Sequence, residues 1–202
     1  MASTAREDLL TAGLAVFDRD GFEDATIAAI RTQARASNGS FFHFFGSKKE
    51  LAGTLFLDIL QRYHAAMLAV LDSSSGAREG VARLVREHLE WVVTNRREAR
   101  FLFEISRSEW SDELRDAQRA VNTRLADGIE RWRAPLLASG ELLPMSPILF
   151  ISQIIGPAQI FCRAFLSGRD RSDPREQADT LIACAIRAVV APGAAERSGD
   201  IR

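Results

Sequence analysis

Ser37-Asn38-Gly39-Ser40-Phe41-Phe42-His43-Phe44-Phe45-Gly46-Ser47-Lys48-Lys49-Glu50-Leu51 reads as one short helix, a break, and the start of a longer helix. Ser37 offers an N-cap oxygen to the first helix, and Gly46 ends it. Ser47 with Glu50 three residues on predicts a capping box: the serine oxygen accepts a backbone N–H and the glutamate reaches back to the serine N–H. The chain has only two lysines, Lys48 and Lys49, against 24 arginines, and both crowd this helix start. A helix N-terminus carries partial positive charge, so an ammonium there costs roughly 0.3–1 kcal/mol unless an anion stands by. Phosphate fits such an end, because free N–H groups and the dipole already favour negative charge. The segment therefore predicts a small helical module that grips a nucleic-acid backbone.

Working upstream, Thr26 caps a short helix that turns Ile27, Ile30 and Ala34 inward. Before it, Thr4 to Arg19 has helical period, with Leu9, Ala12, Gly13, Val16 and Phe17 on one face, and Asp20-Gly21-Phe22 stops it. The spacing from Thr26 to Lys48 reads as helix-turn-helix, with the N-terminal residues of the second short helix placed for the major groove. Small polar residues at its start let the backbone approach DNA, and Asn38 and Ser40 could reach base edges or phosphates. A plain three-helix core whose phenylalanines only pack is the competing reading.

The bulk numbers agree with a local footprint. The net charge is −1 over 202 residues, yet Ala25 to Lys49 holds Arg31, Arg35, Lys48 and Lys49 and no acid. A basic island in a neutral chain argues against a protein that coats nucleic acid everywhere and for one that touches it at one place. Cys162 and Cys184 sit in apolar helical stretches and read as reduced thiols. The N-terminus has no apolar run, so a cytoplasmic protein is expected. Leu142 to Cys162 runs 21 residues without a charge. Three prolines and two glutamines make it a poor membrane span; a helix buried on most sides, in a core or a subunit interface, is expected instead.

Downstream the helical period continues. A long helix runs from Ser47 to about Leu71, then the linker Asp72-Ser73-Ser74-Ser75-Gly76, then helices at about 77–95, 96–107, 110–138, 146–167 and 174–191. The fold expected is all-α, about nine helices. Residues 1–50 form a three-helix DNA-binding domain, 51–192 a helical ligand-binding and dimerisation domain, and 193–202 a frayed tail.

The run from Thr26 through Ile27, Ile30, Ala34 and Ser37 to Leu51, with Leu14, Phe17, Gly21 and Phe22 before it, resembles the TetR (tetracycline-repressor-like) family. The resemblance covers residues 6 to 56; beyond them only the helical layout and length agree. It implies that Thr26 binds a phosphate, that Ser37, Asn38, Ser40 and His43 lie in or beside the groove with Gly39 between them, and that Lys48 holds a phosphate. Phe41 and Phe45 would pack the module. The chain departs from the pattern at Phe42, where a tyrosine is usual and a phosphate hydrogen bond is lost, and at Phe44. Arg35 replaces the turn glycine and could gain a phosphate contact, and Arg31 replaces a small residue.

In that family the C-terminal helices form a ligand pocket and a dimer interface. The large aromatics Trp91, Phe101, Phe103, Trp110 and Trp132, with His64, Met67 and Phe150, are the expected pocket residues. An apolar or aromatic effector follows from that lining. The dimer interface is assigned to the last two long helices: Ile148, Ile151, Ile155, Ile160 and Leu166 on the first, Leu181, Ile182, Ile186 and Val189 on the second. Pairing makes physical sense, because one short helix reads too few bases and two half-sites supply the rest. The expected partners are a palindromic double-stranded operator, a second copy of the chain and a small molecule, with no membrane. No HExxH, CxxC, GxSxG or glycine-rich phosphate loop occurs, and His43, His64 and His88 have no ligand-like spacing. Neither an enzyme, a metal site nor a cofactor is expected. A helical protein-binding adaptor is the rival function.

Overall fold

The computed structural model describes residues 4–72, 74, 76–105 and 112–192. Among these, nine α-helices follow one another: α1 Ala5–Asp24, α2 Ile27–Ala34, α3 Asn38–Phe44, α4 Lys48–Asp72, α5 Ala77–Thr94, α6 Arg96–Ile105, α7 Asp112–Ala138, α8 Pro147–Leu166 and α9 Ala178–Val189. A 3₁₀ turn, Pro174–Gln177, leads into α9. The all-α expectation holds. Trp110 and the expected tail, 193–202, lie outside the described residues.

The chain forms two compact units, Met1–Arg62 with Asn95–Val121, and Tyr63–Thr94 with Asn122–Arg202. Residues 51–62, 95–105 and 112–121, assigned from the sequence to the C-terminal domain, therefore fall in one unit with the first three helices. The reason is visible in side chains: Phe101 of α6 stacks on Phe17 of α1 with ring centroids 5.5 Å apart, and Arg100 pairs with Asp18 at 2.7 Å.

In the first unit, Thr4 caps α1 with a reciprocal Glu7 contact. Gly21 interrupts α1 at φ 77°, a left-handed value that only glycine adopts freely. A last helical turn follows to Asp24. Leu9, Val16, Ile30, Phe41, Phe45, Leu51 and Ile59 are fully buried between these helices and make the core.

In the second unit, α5 packs against α8 and α9. Phe150, Ile154, Ala158, Cys162 and Leu166 form the buried stripe of α8. The opposite stripe is open in the single chain: Ile148 is 78% and Ile160 65% exposed. The expectation that this helix is buried on most sides is thus met on one side only. A short antiparallel bridge, Leu142 to Val190, joins the segment after α7 to the end of α9. The Leu143 N–H donates to the Val189 carbonyl at 2.8 Å and the Ala191 N–H to the Glu141 carbonyl at 2.9 Å. Arg133 of α7 is only 3% exposed. Arg133 pairs with Glu130, donates to the Met145 carbonyl at 2.7 Å and covers the Phe150 ring.

Candidate nucleic-acid interface

The helix-turn-helix is built by three capping events. Thr26 Oγ1 accepts the Ala29 N–H at 3.1 Å and starts α2. At the far end of α2 the Arg35 N–H donates to the Thr32 carbonyl and the Ala36 N–H to the Arg31 carbonyl. This is the double bond of a Schellman turn, whose left-handed position is usually glycine. Arg35 occupies it at φ 52°, ψ 36°, and it is the one non-glycine residue at positive φ among the described residues. An L-residue pays about 1–2 kcal/mol for that conformation. Ser37 Oγ then accepts the Ser40 N–H at 3.0 Å and starts α3.

Those caps fix which face of α3 looks out. Phe41 and Phe45 are buried beneath it. Ser37, Asn38, Gly39 and His43 are exposed, Ser40 is half-buried, and Arg35 stands exposed at the turn. Phe42 is 50% exposed, an apolar ring in the middle of a polar face. No carboxylate lies in the sequence from Ala25 to Lys49 to oppose a phosphate backbone. Thr26 and Ser37 use their oxygens as acceptors in the caps, which leaves each hydroxyl proton free to donate outward. One internal contact crosses the face: Arg31 Nη1 donates to Asn38 Oδ1 at 3.0 Å. The sequence marked Arg31 as a departure but gave no sign of this bond.

Lys48 does not fit its expected role. Its Nζ donates to the carbonyls of Phe22 at 2.6 Å, Glu23 at 2.9 Å and Ala25 at 2.8 Å. A lysine ammonium has three donors, so none remains for a phosphate. The same group lies 4.7 Å from the Phe22 ring centroid, a favourable cation–π distance. The unfavourable field at the start of α4 is offset within the chain, by the negative carbonyl end of α1. The capping box of α4 also differs from expectation: Ser47 Oγ accepts the Glu50 N–H at 3.0 Å, but Glu50 reaches the N–H of Gly46 rather than that of Ser47. Lys49 remains exposed beside these groups.

In the second unit the expected pocket residues disperse. Phe101 and Phe103 belong to the first unit. His64, Met67, Trp91 and Phe150 are buried in helix packing. A polar pair the sequence did not reveal lies among the buried groups: the Tyr63 hydroxyl is 2.8 Å from His88 Nδ1, with Trp91 edge-on to Tyr63 at 4.8 Å and the His64 ring 5.8 Å away. Burial pushes the His88 pKa down to about 4, raises Tyr63 and pushes the Cys162 thiol up to about 12.

Trp132 does line a cavity, of about 490 Å³, with Leu68, Leu71, Pro135 and Leu136 as apolar wall and Asp72, Arg131 and Ser74 as polar edge. Its indole N–H donates to Ser74 Oγ at 2.8 Å. The ring rests on Gly80, where a Cβ would come within 2.1 Å of it. A second groove, of about 530 Å³, has among its lining two ion pairs, Arg86 with Asp179 at 3.2 Å and Arg175 with Glu90 at 3.3 Å. Of the expected interface residues, Leu166, Ile182 and Val189 are buried in the packing of α8 and α9 and cannot face a partner. Ile148 and Ile160 are exposed, and Ile151, Ile155, Leu181 and Ile186 partly so.

Comparison with known proteins agrees with this architecture. Residues 9–55 match the bacterial regulatory proteins of the tetR family. The HTH-type transcriptional repressor NicS of Pseudomonas putida is 29% identical over 89 residues, which are 40% of this chain and 40% of NicS. The chain thus matches less than half the length of that relative. A solved chain assigned to the tetR family of transcription regulators, from Shewanella sp. PV-4, superposes with a TM-score of 0.74 at 26% identity, covering 94% of this chain and 100% of that one. FadR of Bacillus subtilis, a transcriptional regulator solved with stearoyl-CoA, shares the fold with a TM-score of 0.75 at 15% identity, over 89% of this chain and 96% of its own. Residues 9–55 thus carry the helix-turn-helix module of the tetR family of bacterial regulatory proteins, and the chain as a whole is similar in fold to regulators of that family.

Proposed function

We propose that this regulator is a repressor that binds an inverted-repeat operator as a homodimer through α3 and leaves it when a small molecule binds. The observation that carries the reading is the outward face of α3 and its turn: Arg35, Ser37, Asn38, Gly39 and His43 exposed, with no acid in the surrounding sequence. Thr26 and Ser37 hydroxyls donate to phosphates and set the register. Asn38 and Ser40 meet base edges, and the Phe42 ring suits a thymine methyl. The phosphate role expected of Lys48 passes to Lys49 and Arg35.

The open stripe of α8, with Ile148, Leu149 and Ile160, supports a dimer, because single soluble chains rarely leave contiguous apolar faces exposed. The Trp132 cavity is the favoured effector site. Its volume falls within the ~300–1,000 Å³ of small-molecule sites, and its lining suits an apolar or aromatic ligand with one polar end. Leu68, Leu71 and Asp72 at the end of α4 contribute to it, so a ligand there can bias the helix whose start clamps α1.

The test is enrichment of randomised duplexes by the purified chain, followed by salt titration and sedimentation. A palindrome with half-sites about one helical turn apart, ~34–36 Å, and affinity falling steeply with salt are expected. Failure to bind any duplex at low salt would leave the helical adaptor as the better reading.

A further inference from the structure

Arg31 on α2 and Asn38 on α3 face each other across the turn, with Nη1 3.0 Å from Oδ1. A guanidinium carries five N–H donors and no acceptor. The amide atom facing it is therefore the oxygen, and the NH₂ group with its two donors faces away. This matters because a free asparagine can offer a donor and an acceptor together, the pair that matches the N6 amino group and N7 of adenine. With Oδ1 turned toward the guanidinium and one of its lone pairs held there, Asn38 turns its two donors outward. Guanine, whose N7 and O6 both accept, suits two donors; adenine sets its own N6 donor against them.

Resting on the reading of α3 as the groove helix, we infer that Arg31 is a positioning residue that fixes the amide of Asn38 and makes it select guanine over adenine. Three observations support the contact as built rather than incidental. Arg31 has no acid between Ala25 and Lys49 to draw its guanidinium elsewhere. Its Nε is buried without a hydrogen-bond partner, so the side chain is seated in the module and not waving in solvent. Its own carbonyl is held by the Ala36 N–H at 2.9 Å, in the turn that aims α3. The arginine thus works through Asn38 and need not touch a base itself.

The experiment is selection from a randomised duplex library by the full chain and by Arg31→Met, Arg31→Lys and Asn38→Ala, with a thermal melt of each. At one position of each half-site the wild type should favour guanine over adenine by roughly tenfold or more. Asn38→Ala should erase that preference. Arg31→Met frees Oδ1, so adenine should rise to parity or above at that position while the others keep their preferences. Arg31→Lys should restore guanine, because an ammonium also only donates. If Arg31→Met folds poorly, Asn38→Asp carries the test: its outward oxygen should abolish the guanine preference. An unchanged motif for Arg31→Met, equal weakening on all sequences, or guanine retained by Asn38→Asp overturns the inference alone. A wild-type chain that enriches no motif removes the DNA reading and this inference with it.

Discussion

The two units keep their unusual side chains in opposite places. The first carries them outward: Arg35 in a left-handed turn, Phe42 half in solvent, Asn38 oriented by Arg31. The second carries them inward: His88 against Tyr63, Arg133 over the Phe150 ring, Cys162 in the α8 stripe. Groups that face out cost the isolated chain something, which a bound partner would offset. Groups that face in meet partners within the chain, as His88 Nδ1 meets the Tyr63 hydroxyl, and concern its stability. Lys48 teaches the rule by crossing it. It belongs to the outward unit by sequence, yet its three carbonyl bonds make it an inward group.

The comparison can be broken at its strongest point first. His88 is held neutral by burial, with its pKa at about 4 against an ordinary 6.5. The folded value is the lower one, so its contribution is complete above about pH 6.5 and is lost as the pH falls towards 4. Denaturant unfolding should show the folded state weaken by about 3 kcal/mol across that window. His88→Phe should remove that part of the slope. A curve flat from pH 7 to 4.5 would mean the second unit does not hide its histidine.

Lys48→Met comes next. Three backbone carbonyls lose a charged donor, and the folded state should fall by about 2 kcal/mol, seen as a lower melting temperature. The salt slope of operator binding should not change. A slope reduced by about one, with the melt unmoved, would return Lys48 to the phosphate role. Arg35→Gly should do the reverse. Relief of the left-handed backbone should stabilise the chain by about 0.5–1 kcal/mol, while DNA affinity falls and the salt slope drops by about one. Lys49→Ala should have the smallest effect: an unchanged melt and a slope lower by about one.

What could be read from the sequence, and what could not, follows from the range of the forces. The caps at Thr26 and Ser37 act within three residues, and both were legible. So were the ends of α3 and α4, because Gly46 and the serine-rich linker follow them closely, whereas Gly21 only interrupts α1. The Lys48 clamp was not legible, because its acceptors are backbone carbonyls more than 20 residues away and every residue type supplies those. The Arg31 to Asn38 bond was hidden for a similar reason: polar side chains seven apart become neighbours only once the turn is set. The burial of α8 was half legible. Its sequence is apolar on both faces, and period alone cannot say that Leu166 packs inward while Ile160 faces out. The aromatic pocket failed on the same ground, since Phe101 and Trp132 look alike until Phe17 and Gly80 are brought to them.

The state of the two lysines has a practical consequence. The Lys48 nitrogen is held by three oxygens, so it is a poor nucleophile towards an amine-reactive dye, whereas Lys49 is exposed. The unaltered chain should therefore accept a fluorophore at Lys49 as its one reactive side-chain amine. That places a reporter beside the helix-turn-helix without any engineered cysteine.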